Sequence, residues 1–300
     1  MENTNTQPWP RLRVADWTDT RDTLHMWTQI VGKVRMAYAP PVNHWWHVTL
    51  YPTARGLSTS AVPHAGGVFD IEFDFLAHQL HVRTSDGRSR EVALEPKSVA
   101  TFYGETLEAL AALGLEPRIH AAPNEVENAV PFAEDHKHKA YDGESAQLFW
   151  RQLLQAERVL GRFRSEFVGK ASPVHFFWGA MDLAYTRFSG AVAPPHPGGA
   201  PNCPPWVMHE GYSHELASFG FWPGGGDEGA FYAYAYPEPP GYAERTAPYY
   251  DQALKECVLP YETVAGAADP DAVLTEFLRS TYTAAADLAK WDRSALEASR

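Results

Sequence analysis

The stretch GVFDIEFDFLAHQLHVRT, residues 67–84, decides how this chain folds. Phe69, Ile71, Phe73 and Phe75 alternate with Asp70, Glu72 and Asp74, a period of two that sets apolar groups on one face of a strand and acids on the other. After a short connection HQLHVRT continues in the same manner, so the pair reads as a β-hairpin. An antiparallel sheet of this kind has one apolar face to bury, and helices are the natural cover.

Helical spacing appears on both sides of the hairpin. Leu24, Trp27, Ile30, Val31 and Val34 recur at three and four within residues 17–35, while His25, Gln29 and Lys33 form a separate polar face. Residues 98–113 predict a helix ending at Gly114. Residues 144–167 predict a longer one with Phe149, Leu153, Ala156, Leu160 and Phe163 on its apolar face, and Asp142 as N-cap. Residues 43–63 alternate and are rich in aromatic and β-branched side chains, which predicts a strand.

The pattern then returns. Placing His47 over His175 sets HVTLYPTARGLSTSAVP beside HFFWGAMDLAYTRFSGAVAPP, and a closing helix over 271–290 matches the one at 98–113. The expectation is an α+β single domain over residues 1–300. It is built from internally duplicated strand, hairpin and helix units at about 44–115 and 173–290, joined by a helical segment at 116–172. Its sheet is largely antiparallel and covered by helices.

Composition narrows the function classes. Thirty-seven acidic against 25 basic residues give a net charge of −12, which argues against nucleic acid or an anionic lipid surface as partner. No stretch reaches the roughly 18 apolar residues of a membrane span, and the N-terminal residues have no apolar signal region. Two cysteines, Cys203 and Cys257, make no metal-ribbon spacing, so a cytoplasmic protein is expected. Aromatic residues are 13% of the chain, which favours a ring-lined pocket for a small molecule.

Polar residues that could do chemistry are densest at 172–226. His175, Asp182 and Arg187 fall on a strand, turn and strand, where they could shuttle a proton and clamp an acid, or where Asp182 and Arg187 could simply pair. His214 and Glu215 follow in HEGYSHELASFGFW. Its two histidines stand five apart and not four, so the zinc-protease motif HExxH is not met, and a strand is the better reading. His175, His214 and Glu215 could still ligate iron, zinc or manganese as a two-histidine, one-carboxylate site.

Trp178, Tyr212, Trp222 and Tyr234 are the expected substrate-binding rings, the last within a Tyr232, Tyr234, Tyr236 ladder. The proline-rich loop 191–206 and the glycine-rich loop 222–229 have the composition of covers over such a site. His44 and His47, Arg55, Asp74 and His78 read as structural or pocket-lining. Dinucleotide, P-loop and nucleophile-elbow motifs are missing from the sequence.

Several long stretches together, TLHMWTQIVGKVRM, NHWWHVTLYPTARGLSTS, FDFLAHQLHV, SPVHFFWGAMDLAYTRFSG, YSHELASFGFWPGG and TYTAAADLAKWDRSALE, resemble the uncharacterised bacterial family termed domain of unknown function 5996. The likeness runs from about residue 9 to 297. It implies one full-length module in a stand-alone bacterial protein, and it brings no activity, cofactor or catalytic residue with it. The residues themselves point to an enzyme acting on a small polar molecule. The alternative is a non-catalytic ligand-binding or sensor protein.

Overall fold

Burying the phenylalanine face of residues 67–84 organises the first half of the molecule. The structure is a computed structural model and describes residues 9–298. Its first sheet contains β1 (Tyr51–Pro52), β2 (Gly56–Ser58), β3 (Val62–His64), β4 (Gly67–Asp74), β5 (Gln79–Thr84) and β6 (Ser89–Ala93). The spatial order is β1-β2-β4-β5-β6, with β3 against β4, and every pairing is antiparallel. In the hairpin Ile71 lies opposite Val82 and Phe73 opposite Leu80. Helices α1 (Val14–Tyr38) and α2 (Val99–Ala111) cover the apolar face, where Trp27 stacks on Phe102 at 4.4 Å. Ser98 caps α2 by accepting from the Thr101 backbone N–H at 3.1 Å.

The second half holds a further helix and a second sheet. Helix α3 (Gly143–Arg164) starts at the Asp142 cap, which accepts from the Ser145 N–H at 2.9 Å. The second sheet is β7 (His175–Phe177), β8 (Asp182–Val192), β9 (His214–Trp222), β10 (Ala230–Tyr236), β11 (Tyr250–Asp251) and β12 (Glu256–Pro260), ordered β11-β12-β10-β9-β8-β7 and again antiparallel. Between these strands and after them come α4 (Pro205–Gly211), α5 (Tyr242–Arg245), α6 (Tyr261–Ala265), α7 (Pro270–Leu288) and α8 (Arg293–Leu296). Both halves thus pair antiparallel strands with helices, the second with α4 and α5 inserted between its strands. The sheets meet edge to edge where Leu50 and Phe176 exchange backbone hydrogen bonds of 2.9 and 2.7 Å, and one apolar core is continuous across both. No helix among the described residues is long and apolar enough to cross a membrane.

Two local expectations change. Residues 43–45 form one turn of 3-10 helix instead of extended strand, with His44 and Trp45 at φ 57° and 63°. Contacts far along the chain hold that turn: the His44 N–H donates to Glu210 Oε1 at 3.0 Å, and Trp45 Nε1 donates to the Val207 carbonyl at 2.9 Å. The stretch 207–222 is divided, with His209 and Glu210 on α4 and His214 and Glu215 opening β9.

Alternation along β8 sends Leu183, Tyr185 and Arg187 toward α3 and α7. Arg187 is only 1% exposed, with its guanidinium 3.6 Å from the Phe163 ring centre and 4.3 Å from that of Tyr282. It donates to the Phe163 carbonyl and, at 3.1 Å, to the Tyr185 hydroxyl. Rings and a carbonyl satisfy this cation without a carboxylate, so it ties the sheet to α3 and α7. Replacing it with alanine removes both the packing and the hydrogen bonds. Arg187→Ala is expected to lower the unfolding free energy by about 2–4 kcal/mol in a denaturant titration. A loss below about 0.5 kcal/mol, the usual range of surface changes, would contradict this role.

A candidate site on the open face of the second sheet

Side chains that alternate with Arg187 and its neighbours face away from α3 and α7. Asp182, Thr186 and Phe188 of β8, Ser218 of β9, Tyr232 and Tyr234 of β10 and Glu256 of β12 floor a cavity of about 1020 Å³. Its roof comes from distant parts of the chain: the 3-10 turn at 43–45, residues around Asn124 and Glu125, and residues 202–212 including α4. Trp206, Trp222 and Leu254 line it too, yet are 59%, 44% and 56% exposed, which places them at the mouth. A space of this size, walled by rings with a few convergent polar groups, has the character of a ligand pocket.

Asp182 is the central polar group. It receives a hydrogen bond from the Tyr232 hydroxyl, which reaches it from β10 across the intervening strand β9. Gly220 makes that reach possible: a Cβ there would lie 2.4 Å from Tyr232 Cζ and 2.3 Å from the Leu183 carbonyl oxygen. Burial raises the Asp182 carboxyl to about 6, and the Tyr232 bond restrains the rise. Glu125 and Glu256 are each raised to about 7, first by burial and then by repulsion from Asp182. Glu125 is an exposed residue at the cavity's edge, and at Gly179 a Cβ would come 2.1 Å from its Oε1. Beside the acids, the Tyr212 and Tyr234 hydroxyls pair at 2.8 Å and those of Thr186 and Ser218 at 2.9 Å.

One buried cation reaches the same cavity from the other end. Lys33 is 1% exposed, donates to Asn124 Oδ1, and lies 5.4 Å from the Trp178 ring centre. Burial lowers its ammonium to about 8. Asn124 is itself clamped by Gln29, which accepts from its N–H and donates to its carbonyl, both at 2.8 Å. The polar stripe His25, Gln29, Lys33 on α1 is therefore an internal face that holds the cavity roof.

Of the residues singled out in the sequence, Asp182, Trp178, Tyr212, Trp222 and Tyr234 line this one cavity. His175, Arg187, His214 and Glu215 do not. His175 is buried beside the cavity on the face that carries Phe177, with Thr49 Oγ1 3.2 Å from its Nδ1, and burial plus nearby Arg35 push its pKa down to about 3. Such an imidazole stays neutral and serves as a hydrogen-bonded core group. Arg187 lies on the opposite face of β8 from Asp182, so the two do not pair. His214 and Glu215 point to opposite faces of β9, where Glu215 accepts from Ser189 Oγ at 2.9 Å and His214 Nδ1 lies 3.1 Å from Ser213 Oγ.

His175, level with Ala184 and Gly220, is six residues along the register from His214, roughly 20 Å at ordinary strand rise. The sheet thus keeps His175, His214 and Glu215 apart. Among the described residues, no group of three His, Cys, Asp or Glu is placed to hold a metal ion. Lys33, Asn124, Glu125, Tyr232 and Glu256 are the wall residues that the sequence reading did not select as a site. Only the Lys33 stripe and the tyrosine ladder left any signal of them.

Residues 9–298 match the profile of a family described as a family of unknown function, DUF5996. The chain belongs to that family. Comparisons with curated proteins and with solved structures give no match. For DUF5996 the cavity is therefore read from this chain's own residues.

The raised Asp182 carboxyl makes a prediction about stability. Its folded value of about 6 exceeds its ordinary value of 3.8, so between these the folded state binds more protons than the unfolded one. Stability then falls as pH rises through that window, and the full cost, on the order of 2 kcal/mol, is present above it. Asp182→Asn removes this contribution while keeping an acceptor for Tyr232. The expected difference in unfolding midpoint, variant minus parent, grows between about pH 4 and 6 and then levels off. A difference that does not change with pH would contradict the buried, raised carboxyl.

Proposed function

We propose that this protein is an enzyme acting on a small molecule held in the cavity over the second sheet, with Asp182 and Tyr232 as its proton-transfer pair. The observation that carries this reading is the Asp182 carboxyl itself. It faces a ring-lined cavity, accepts from Tyr232, and has no Lys, Arg or His nitrogen within 4.0 Å among the described residues. Other acids near these sheets are used structurally and do have such partners: Asp74 with Arg55, Glu72 with Arg83, Asp271 with Arg158. A carboxyl poised near 6 can both take and return a proton close to neutral pH.

In the resting arrangement the Tyr232 hydroxyl donates to Asp182 Oδ2, and the carboxyl lines the cavity where the ligand would sit. As carboxylate, Asp182 accepts a proton from the bound molecule; as acid, it gives the proton back. The Tyr212 and Tyr234 pair and the Thr186 and Ser218 pair supply hydroxyls to hold polar atoms, and Phe177, Trp178 and Trp222 supply flat apolar surface. Loops 191–206 and 222–229 contribute Trp206, Trp222 and Gly225 to the wall and mouth, which suits covers that exclude water from the reaction.

Free thiols at Cys203 and Cys257 and the lack of a membrane-crossing helix among the described residues support a cytoplasmic setting. The antiparallel sheet with helices in each half supports an internal duplication, with the Leu50 and Phe176 junction between the copies.

A thermal-shift screen of small amines, alcohols and acids, followed by mass spectrometry of the binders, tests the reading. Turnover of a bound molecule is expected to fall by about 10²-fold or more in Asp182→Asn. Affinity should change by much less. Tyr232→Phe should shift the pH profile of turnover, because it removes the donor that restrains the Asp182 carboxyl. Binding without any turnover, or turnover indifferent to Asp182, would overturn the enzymatic assignment.

A further inference from the structure

We infer that the molecule this cavity takes carries a positive charge on an apolar body: a protonated or alkylated amine, with the ammonium at Asp182, Glu125 and Glu256. The inference rests on the cavity being the ligand site and adds the class of ligand. Three carboxyls line the one cavity, Asp182 and Glu256 from its floor and Glu125 from its roof, and Asp182 repels both of the others. None of the three is within 4.0 Å of a Lys, Arg or His nitrogen among the described residues, whereas the buried acid Glu228 is held by Arg11 and Glu72 by Arg83. Glu72 and Glu228 thus have a cation beside them, and the three acids that line the cavity have no such counter-ion among the described residues. A cation supplied by the ligand would relieve both their repulsion and their desolvation.

The rings say what kind of cation. On β7 the register sets Phe177 opposite Asp182, Tyr232 bonds to Asp182 from β10, and Trp222 on β9 lies one step past Phe221, the partner of Leu183. Carboxyls interleaved with flat rings suit a polyatomic ammonium, which gains from ring faces as well as from charge. A bare metal ion needs several donors converging within about 2.0–2.6 Å of one point, and among the described residues no such group of three forms. The volume of about 1020 Å³ and the apolar mouth at Trp206, Trp222 and Leu254 leave room for a body much larger than the charged group.

Lys33 fixes the orientation. Its ammonium, tied to Asn124, occupies the α1 end and repels a second cation there. The ligand's amine therefore points to the β8, β10 and β12 end.

Calorimetric titration with shape-matched probes of different charge decides it: 2-phenylethylamine, 2-phenylethanol and 3-phenylpropionate, each repeated with an indole and a naphthalene body. The amines are expected to bind at least about 10-fold more tightly than the alcohols, about 1.4 kcal/mol, and the carboxylates most weakly. Asp182→Asn and Glu256→Gln should each shrink the amine preference, and Trp222→Ala should weaken all binders of a series. In the unmodified protein, amine binding near about pH 6.5 should also release protons, read from titrations in two buffers of different ionisation enthalpy. This second readout needs no variant to fold. Alcohols or carboxylates binding as tightly as amines, still sensitive to Trp222→Ala, would overturn the charge assignment and leave the cavity as the site. No binding in any series would sink the cavity reading along with it.

Discussion

Everything in the candidate site depends on one carboxyl placed under rings with a hydroxyl for company and no cation in reach. Holding Asp182 there costs stability, and the structure shows how the arrangement is kept. Tyr232 must cross β9 to reach it, and only a residue without a Cβ at 220 leaves space for that crossing. Loss of the crossing would leave the acid without its donor. The same acid then raises its neighbours Glu125 and Glu256 through repulsion.

The two faces of the second sheet divide the labour between stability and chemistry. One face is closed by α3 and α7, with Phe163, Phe219 and Tyr185 in edge-on contact and Arg187 sealed among them. That face makes the sheet a rigid floor. The other is roofed by short irregular pieces: a 3-10 turn with left-handed residues, a segment clamped by Gln29, and α4, which buries none of its residues fully. Irregular backbone over a regular floor is a common way to build a pocket, because loops vary while the sheet holds register.

Much of the fold was legible because it follows from short-range periodicity. The hairpin at 67–84, the Asp142 cap and the helices at Val99–Ala111 and Gly143–Arg164 all appear within a few residues of where spacing puts them. The turn at 43–45 was not legible, since its left-handed residues are held by Glu210 and Val207, more than 160 positions away. Alternation puts Tyr232 and Tyr234 on one face, and both line the cavity. It does not say which face of β8 the helices cover, which sends Arg187 into the core, and it does not see the packing of Thr49, Tyr51 and Phe177 around His175. Glu125 and Asn124 sit in an irregular segment with no period, and Lys33 looked like a solvated face until that segment was seen packed on it.

The most direct test is the protonation of Asp182 itself. Difference infrared spectroscopy of the carboxyl stretch, parent minus Asp182→Asn, from about pH 3 to 9 isolates that one group. The structure predicts a midpoint near 6 for the unliganded protein. A midpoint at or below about 4, the ordinary aspartate range, would mean that the acid is solvated or paired after all, and the account of this cavity would fail.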